Sequence, residues 1–492
     1  MSHKKNMTSI LARYRGMSPA VRSSLWYTLC NFLQRGMSLI TTPIFTRMLT
    51  TDEYGICSVY FTWFEIFVLF TSLKLPYEGL NNGLIRYEED KDGFASAVLG
   101  LITTMTFGWF ILYLIFQQWI NGVTGLNRIL MIMMFIQVMF NPPLYLWTNR
   151  ERFDFRYRWP VVVTMLSTIL SPVIAIFCVL NTEFKAEGRV LGIVLVQGFF
   201  GLILYFVTMY RGRKFYVREY WKFAVGFNLP LLLYYLSQTV LSASDRIMIQ
   251  HMVSSGKAGI YNVSYASATI LLLLVTAVNG SLNPWMYRKL KSREYEDIPK
   301  LLDQLCLLFA AATLGMCMFA PDLIHIMASA EYQEGIWIVP PVTASVFFTF
   351  LYMLFANVEM YYDKNKGIAI VSIVAAVLNL ILNALAIPRF GYMAAGWTTL
   401  VSYIFLTALH YRLMIRACGD QVDGHLLFPV KRLIGQSVVV LAIVAFGLWL
   451  YTLGSGRYVV LVLEIAVLLI FRKKILGLLK GMKKGDTLND NQ

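Results

Sequence analysis

The sequence has few charged residues, which make up 14% of its 492 residues, whereas 57% are hydrophobic. Soluble domains usually contain about 25% charged residues. Apolar runs close to the roughly 20 residues that cross a bilayer recur along the whole chain. A soluble globular domain is therefore excluded, and the composition predicts an all-α, polytopic membrane protein.

The chain also lacks the motifs of several other protein classes. Its six cysteines form no CxxC pair, so neither disulfides nor zinc are indicated. His251, His325 and His410 stand alone at the ends of different apolar runs, which speaks against a metal site. No GxxxxGK[ST] sequence is present, so a fused ATPase is excluded. We expect no cofactor and no metal.

About fourteen transmembrane spans are predicted from the apolar runs. No connection between them is long enough for a soluble domain, so we expect function in the membrane or at its rims. The basic N-terminus carries no cleavable signal pattern, so the first span is expected to be retained. The predicted spans are residues 20–48, 55–75, 94–116, 127–148, 158–180, 189–209, 222–244, 258–284, 299–320, 336–360, 367–387, 391–413, 433–452 and 457–471.

The 43 lysine and arginine residues are distributed unevenly between the two sides of the predicted membrane. With the N-terminus placed in the cytoplasm, most of them fall in cytoplasmic connections. A small number, among them Arg47, Arg189 and Arg246, fall on the outer side. This distribution follows the positive-inside rule and predicts that both termini are cytoplasmic. The net charge of +15 is then a feature of topology, and no nucleic acid is expected as a partner.

Two short sequence patterns occur twice, which indicates an internal duplication. Gly55 and Gly259 follow the first and seventh spans, and they are separated by the same number of residues as Gly192 and Gly396. Six spans repeated in one orientation predict two pseudo-symmetric lobes related by an axis along the membrane normal. The expected units are an N-terminal six-helix lobe, a C-terminal six-helix lobe, and two extra spans with a basic cytoplasmic tail, at residues 1–215, 216–416 and 417–492.

Arg35 lies in the middle of the first predicted span, and no acidic residue precedes Asp52 to pair with it. A cation at that depth costs at least about 2.5 kcal/mol, so we expect it to face a wet interior rather than lipid. An anionic substrate that enters the protein would explain its presence. A structural ion pair with Glu65 on the second span is the alternative.

Polar side chains form one-sided stripes on the first, second, seventh and eighth predicted spans. Their spacing is that of one helical face. Hydroxyl, amide and phenol groups suit sugar hydroxyls, so we expect the stripes to line a central cavity; packing between helices is the alternative. The candidates for sugar contact are Asn31, Gln34, Ser38, Asn228, Tyr235, Gln238, Asn262, Tyr265 and Asn279.

Several charged residues are candidates for further roles. For Arg246 the adjacent Asp245 offers a structural partner, and for Lys74 a role in topology is the alternative. Intramembrane carboxylates are functional candidates by default, here for ion coupling. The candidates for phosphate contact are Arg35, Arg47, Arg246 and Lys74, and those for ion coupling are Glu65, Asp245 and Glu359.

At several places the chain resembles the oligosaccharide flippases of the polysaccharide-biosynthesis membrane protein family. That family belongs to a superfamily shared with lipid II flippases and multidrug and toxic-compound extrusion transporters. The resemblance covers essentially the whole chain, including the layout of the spans. The residues that carry it are 42–49, 53–55, Asp245 with Arg246, 258–261, and Gly391 with Gly396.

The resemblance implies a two-lobed transporter with a cationic central cavity in a bacterial inner membrane. It would move an undecaprenyl-diphosphate-linked oligosaccharide from the cytoplasmic to the outer leaflet for cell-surface polysaccharide such as O-antigen. Arg35 would hold the diphosphate, with Arg47 and Arg246 completing the cationic cavity. Partners would be the lipid-linked oligosaccharide, membrane lipid and other polysaccharide assembly proteins. No enzymatic activity is implied.

Three other functions compete with this interpretation. A drug or cation exporter of the same fold should have a cavity dominated by acids, whereas the one central charge here is positive. A membrane glycan polymerase or ligase usually needs a sizeable outer loop with catalytic residues, but residues 322–335 form a short connection without Arg or Lys. A scaffold without transport would not require Arg35 or duplicated lobes.

Overall fold

The computed structural model describes residues 16–422, 426–467 and 469–470. For Arg35, Glu78, Asn365, Lys366, Asp420 and Gln421 this description is limited to the backbone. Within the described ranges the regular structure is helical, and no β-strand occurs. The predicted all-α class is confirmed.

The helices alternate with short connections along the described chain. Residues 457–467 and 469–470 are helical in addition to the helices with defined ends. The latter are α1 (Pro19–Met48), α2 (Thr51–Ser72), α3 (Leu80–Arg86), α4 (Lys91–Ile115), α5 (Gln117–Thr124), α6 (Arg128–Phe153), α7 (Arg158–Leu180), α8 (Lys185–Gly212), α9 (Arg218–Met252), α10 (Ser255–Ala268), α11 (Leu272–Ser292), α12 (Asp297–Met327), α13 (Val339–Tyr361), α14 (Asn365–Phe390), α15 (Ala394–Cys418) and α16 (Val430–Tyr451).

Twelve helical segments of the described chain are long and apolar enough to cross a membrane, judged by length and composition. They correspond to the predicted second to thirteenth spans. The first predicted span is the helix α1, which is less apolar because it carries the polar stripe around Arg35. The fourteenth begins in the helical residues 457–467 and ends outside the described part of the chain. The chain is therefore a multi-pass membrane protein.

Local sequence signals explain how α1 and α2 are joined. The hydroxyl of Ser18 accepts a hydrogen bond from the amide of Val21, 3.3 Å away, and a proline opens α1. Thr50 and Glu53 form a capping box at the start of α2, in which each side chain bonds the other's amide at 3.2 and 2.8 Å. The two caps therefore fix the residues at which α1 and α2 begin.

The chain divides into two compact units between Leu236 and Ser237, inside α9. In the first unit, α8 packs closely on its neighbours through glycines. A Cβ added to Gly192 would lie 2.2 Å from the Cα of Ala175 on α7, and one added to Gly201 would lie 1.9 Å from a carbonyl oxygen of α6. The predicted lobe boundaries at residues 215 and 416 stay predictions.

The second unit is built around α13. Residues 339–351 of this helix are all buried, and apolar residues accordingly occur on every side of it. The Phe309 ring on α12 stacks on the Phe350 ring of α13 with centroids 4.3 Å apart. The helix α13 thus forms the centre of the hydrophobic core of the second unit.

Candidate functional site

A cavity of about 640 Å³ lies inside the first unit, lined by residues of α1, α2, α6, α7 and α8 and of the turn that follows α2. Its lining combines aromatic rings with amides, hydroxyls and charged groups. Four of the residues singled out in the sequence, Gln34, Ser38, Glu65 and Lys74, line this cavity together. This volume is within the range of small-molecule sites, about 300–1,000 Å³.

Lys74 is placed at the cavity by an unusual turn at the end of α2. Leu73 and Lys74 both have left-handed backbones, with φ of 48° and 54°, and a π-helical turn over Leu75–Gly79 follows. The ammonium nitrogen of Lys74 lies 5.2 Å from the centroid of the Tyr77 ring. Burial lowers the pKa of Lys74, and the negative charge of Glu65 partly opposes this effect. The site therefore offers a cation whose charge is poorly solvated.

A second polar feature of the cavity is a group of amides that connects α6 and α8. Gln137 Nε2 and Asn141 Nδ2 donate to Gln197 Oε1 at 2.8 and 3.1 Å. The hydroxyl of Tyr60 donates to Gln137 Oε1 at 2.8 Å. None of these residues was singled out from the sequence. Two amides one helical turn apart in an apolar span are the signal that could have found them.

Arg189 also lines the cavity, from the first turns of α8. Its guanidinium carbon is 4.6 Å from the ring centroid of Phe45 and 4.5 Å from that of Tyr54. The sequence analysis counted this residue only as an outer charge of the topology. Its proximity to a cavity depends on contacts between α8 and the first two helices, which sequence spacing does not reveal.

Three further residues of α1 were predicted to contact the substrate, namely Arg35, Asn31 and Arg47. The side chain of Arg35 lies outside the described part of the structure, so its role stays a prediction. Asn31 is exposed on α1. Arg47 is exposed in the last turn of the same helix, and its Nη1 donates to the carbonyl oxygen of Pro43 at 2.9 Å.

A buried polar network surrounds Asp245 in the second unit. The carboxylate is fully buried. It accepts hydrogen bonds from Asn383 Nδ2 at 2.6 Å, from the Thr399 hydroxyl at 2.9 Å, and from the hydroxyl of Tyr261. Asn383 also bonds Asn379 Oδ1 at 3.3 Å. Four helices of this unit, α9, α10, α14 and α15, thus meet at one carboxylate.

Arg246 faces partners other than the expected Asp245. Its Nε donates to Asn262 Oδ1 at 2.8 Å and its Nη1 to the Ser242 carbonyl at 2.7 Å. The guanidinium carbon lies 4.4 Å from the Tyr265 ring centroid. Consecutive residues of a helix point in different directions, which explains the change. Arg246 is 8% exposed and not at a solvated rim, and it brings two predicted residues, Asn262 and Tyr265, into contact.

Glu359 pairs with His410 inside the second unit. His410 Nδ1 is 3.1 Å from both carboxylate oxygens, and both side chains are almost completely buried. The His410 ring stacks on Tyr352 with centroids 5.5 Å apart. The expectation that His410 stands alone was therefore wrong, because α13 and α15 bring two residues together that are 51 positions apart.

The remaining predicted polar residues do not lie in one place. Asn228 is buried in the first unit, and its amide donates to Ala224 O at 2.9 Å. Gln238 Nε2 donates to Ser372 Oγ at 3.1 Å, and Asn279 Nδ2 contacts the sulfur of Met353 at 3.4 Å. The Tyr235 ring packs beside that of Tyr234, with centroids 5.6 Å apart.

The fold is that of known lipid and drug transporters. A solved structure of "Lipid II flippase MurJ, inward closed conformation" aligns with a TM-score of 0.69 over 92% of this chain and 100% of that one, at 13% identity. An inward-facing multidrug resistance MATE family transporter aligns with a TM-score of 0.60 over 78% of this chain and 95% of that one, at 12% identity. At these identities the likeness concerns the fold.

The sequence itself matches the family model described as "Polysaccharide biosynthesis protein" over residues 20–289, and the chain belongs to that family. "Lsg locus putative protein 1" of Haemophilus influenzae is 23% identical over 73% of this chain and 88% of its own length. "Probable low-salt glycan biosynthesis flippase Agl15" of Haloferax volcanii is 22% identical over 42% of this chain and 48% of its own length.

Proposed function

We propose that this protein is a flippase that moves an undecaprenyl-diphosphate-linked oligosaccharide from the cytoplasmic to the outer leaflet of a bacterial inner membrane. It works by alternating access, with both termini in the cytoplasm, and it serves the synthesis of a cell-surface polysaccharide such as O-antigen. It is a transporter and not an enzyme. The observation that carries the proposal is the cavity of the first unit, which combines poorly solvated cations with amides and hydroxyls in a member of the polysaccharide biosynthesis family.

The chemistry of that cavity suits both parts of such a substrate. Cations form short, charge-assisted hydrogen bonds with phosphate oxygens. The linked amides of Gln137, Asn141 and Gln197 present donors and acceptors of the kind that sugar hydroxyls need. An entirely apolar substrate would gain nothing from these groups.

We assign roles to the predicted residues from the sequence, and among their described side chains Gln34, Ser38 and Lys74 line this cavity. Lys74 and Arg35 contact the diphosphate, with Arg47 and Arg246 as further cationic contacts. The sugars contact the polar residues of the stripes, which are Asn31, Gln34, Ser38, Asn228, Tyr235, Gln238, Asn262, Tyr265 and Asn279. The lobes at residues 1–215 and 216–416 alternate in access, and residues 417–492 are an appendage.

We assign ion coupling to carboxylates that bind and release an ion during the transport cycle. Asp245 is the strongest candidate, because burial of a carboxylate is costly unless its charge is balanced. Glu359, bonded to His410, and Glu65, in the cavity, are the other two. An ion-coupled drug exporter of the same fold is the second candidate function, favoured by the carboxylate of Glu65 in the cavity.

The test is leaflet-resolved labelling of the lipid-linked oligosaccharide in cells with the native protein, without it, and with Arg35→Ala. We expect the intermediate to remain on the cytoplasmic side in the last two strains, with the variant inserted in the membrane at native levels. If the intermediate reaches the outer leaflet without the protein but is not polymerised, the flippase proposal fails and a polymerase or ligase takes its place.

A further inference from the structure

Arg189 has a surrounding that is unusual for a charged side chain. Three aromatic rings face its guanidinium group, those of Phe45, Tyr54 and Phe61, with the guanidinium carbon 4.6, 4.5 and 5.9 Å from their centroids. Aromatic faces attract a cation, but they accept no in-plane hydrogen bond from it. The rings therefore hold and orient the guanidinium while its N–H groups need other partners.

For two of the three guanidinium nitrogens those partners are missing among the described residues. Nε and Nη1 of Arg189 are buried and have no hydrogen-bond acceptor there, and no carboxylate of the described chain lies within ion-pair distance of the group. The thiol of Cys57 lies near the guanidinium, but sulfur is a weak acceptor. Buried polar groups are nearly always hydrogen-bonded, and a buried charge is normally paired. Within the described part of the chain the hydrogen bonding of Arg189 is therefore incomplete, and a bound anion would complete it.

Arg246 of the second unit is also stacked on an aromatic ring, but its hydrogen bonding differs from that of Arg189. That arginine also lies over an aromatic ring, 4.4 Å from the Tyr265 centroid, yet its Nε and Nη1 both donate to protein oxygens. An arginine of this fold can thus be stacked and satisfied at the same time. Arg189 is stacked without being satisfied, and it opens onto the cavity.

The position of Arg189 along the cavity adds a second element. It lies beside Phe61 in the middle of α2, whereas Lys74 follows the C-terminal end of that helix. At 1.5 Å per residue the two levels are roughly 20 Å apart. The same cavity therefore has cations at two separate levels, and a single charged group cannot contact both.

We propose that Arg189 is an oxyanion-binding site of the cavity, where its guanidinium group takes a phosphate or carboxylate group. Nε and Nη1 lie on opposite edges of the planar guanidinium, and Nη2 forms a fork with either of them, so two oxygens of one anion can take Nη2 together with one of these donors. The inference rests on the proposed function for its ligand: the anion is either the diphosphate of the lipid carrier or an acid group on the sugars at a distance from it.

The test uses the purified full-length protein in detergent and two soluble probes, pyrophosphate and glucuronate, titrated calorimetrically at matched ionic strength. We expect the native protein to bind at least one probe, and Arg189→Gln to weaken that binding about tenfold or more, the usual effect of losing a charged hydrogen bond. Arg189→Lys, which keeps the charge but loses the fork, should fall in between. The probe that binds identifies the source of the anion.

Lys185→Gln is the matched control. It removes the same charge one turn earlier on α8, from a side chain that does not line the cavity, so binding should stay at the native level. The inference is overturned if neither probe binds the native protein, if Arg189→Gln binds as the native protein does, or if Lys185→Gln weakens binding equally. If Arg189→Gln does not fold, native-level binding by Arg189→Lys overturns it.

The leaflet assay keeps this inference separate from the flippase proposal. Normal probe binding by Arg189→Gln, together with stranded intermediate in cells without the protein, removes the oxyanion site and leaves the flippase. Loss of probe binding in Arg189→Gln, together with normal leaflet distribution in cells without the protein, leaves the oxyanion site and removes the flippase.

Discussion

Asn383 donates a hydrogen bond from Nδ2 to the buried carboxylate of Asp245, at 2.6 Å, so that α14 is tied to α9 inside the second unit. Thr399 on α15 and Tyr261 on α10 donate to the same carboxylate. A carboxylate presents two acceptor oxygens to several donors at once, whereas an amide presents only one acceptor oxygen and an alkyl group presents none. The network therefore depends on the acid at this position.

Replacement of Asp245 should destabilise the protein in proportion to the donors left unpaired. Asp245→Asn keeps one acceptor oxygen and should cost about 1–3 kcal/mol, whereas Asp245→Ala leaves three buried donors and should cost about 3 kcal/mol or more. Thermal unfolding in detergent measures both. Asp303→Asn, which loses an exposed pair with Arg432, should cost less than about 1 kcal/mol. Equal midpoints for Asp245→Ala and the native protein would contradict the account.

Close packing of α8 against α7 should be sensitive to a single methyl group. Gly192→Ala places a Cβ against the backbone of Ala175, which cannot move aside, so the unfolding midpoint should fall and the cavity wall should shift. Gly198 lies on the same helix with nothing within 4 Å of an added Cβ. Gly198→Ala should therefore be neutral or slightly stabilising. A result in which both variants behave alike would show that the two helices do not pack in this way.

The buried pair of Glu359 and His410 should behave as a unit. His410→Phe preserves the ring stacked on Tyr352 but leaves a buried carboxylate without its partner, at a cost of about 3–5 kcal/mol. The double change Glu359→Leu with His410→Phe removes the charge as well and should regain most of that loss. Unfolding midpoints of the two single variants and the double variant measure the coupling. Additive losses would mean that the pair is not coupled.

Sequence patterns predicted much of the fold because hydrophobic length is a strong signal in membrane proteins. Twelve of the predicted spans appear as apolar helices of the described chain. The polar residues around Arg35 and Lys74 were informative because charge is costly in a bilayer. Gln34, Ser38, Glu65 and Lys74 could thus be proposed together before their shared cavity was known.

The rest of the site depends on distant contacts that spacing does not encode. His410 looks isolated in the sequence, yet α13 and α15 place it against Glu359. Arg246 looks paired with its neighbour Asp245, yet the helix turns the two side chains in different directions. Arg189 looks like a topology charge, and only the packing of α8 against the first two helices reveals its aromatic surroundings.

The lowered pKa of Lys74 predicts how anion binding depends on pH. Burial makes Lys74 lose its proton below the ordinary lysine pKa of about 10.4, so its contribution to pyrophosphate binding should be present at neutral pH and decline as the pH rises through that lowered value. Lys74→Arg, which stays charged, should retain binding across the same range. Titrations of both proteins from neutral to alkaline pH test this. If pyrophosphate binding declines with pH equally in both proteins, the titration of Lys74 is not the cause of the decline.

The central claim is tested most directly by reconstitution. Purified protein is placed in liposomes that carry a labelled diphosphate-linked oligosaccharide lipid, and a membrane-impermeant reagent reports the sugar exposed on the outside. The account predicts that the protein accelerates the exchange of the sugar between leaflets and that Arg35→Ala abolishes this acceleration. A native rate equal to that of protein-free liposomes, with and without an ion gradient, would contradict it.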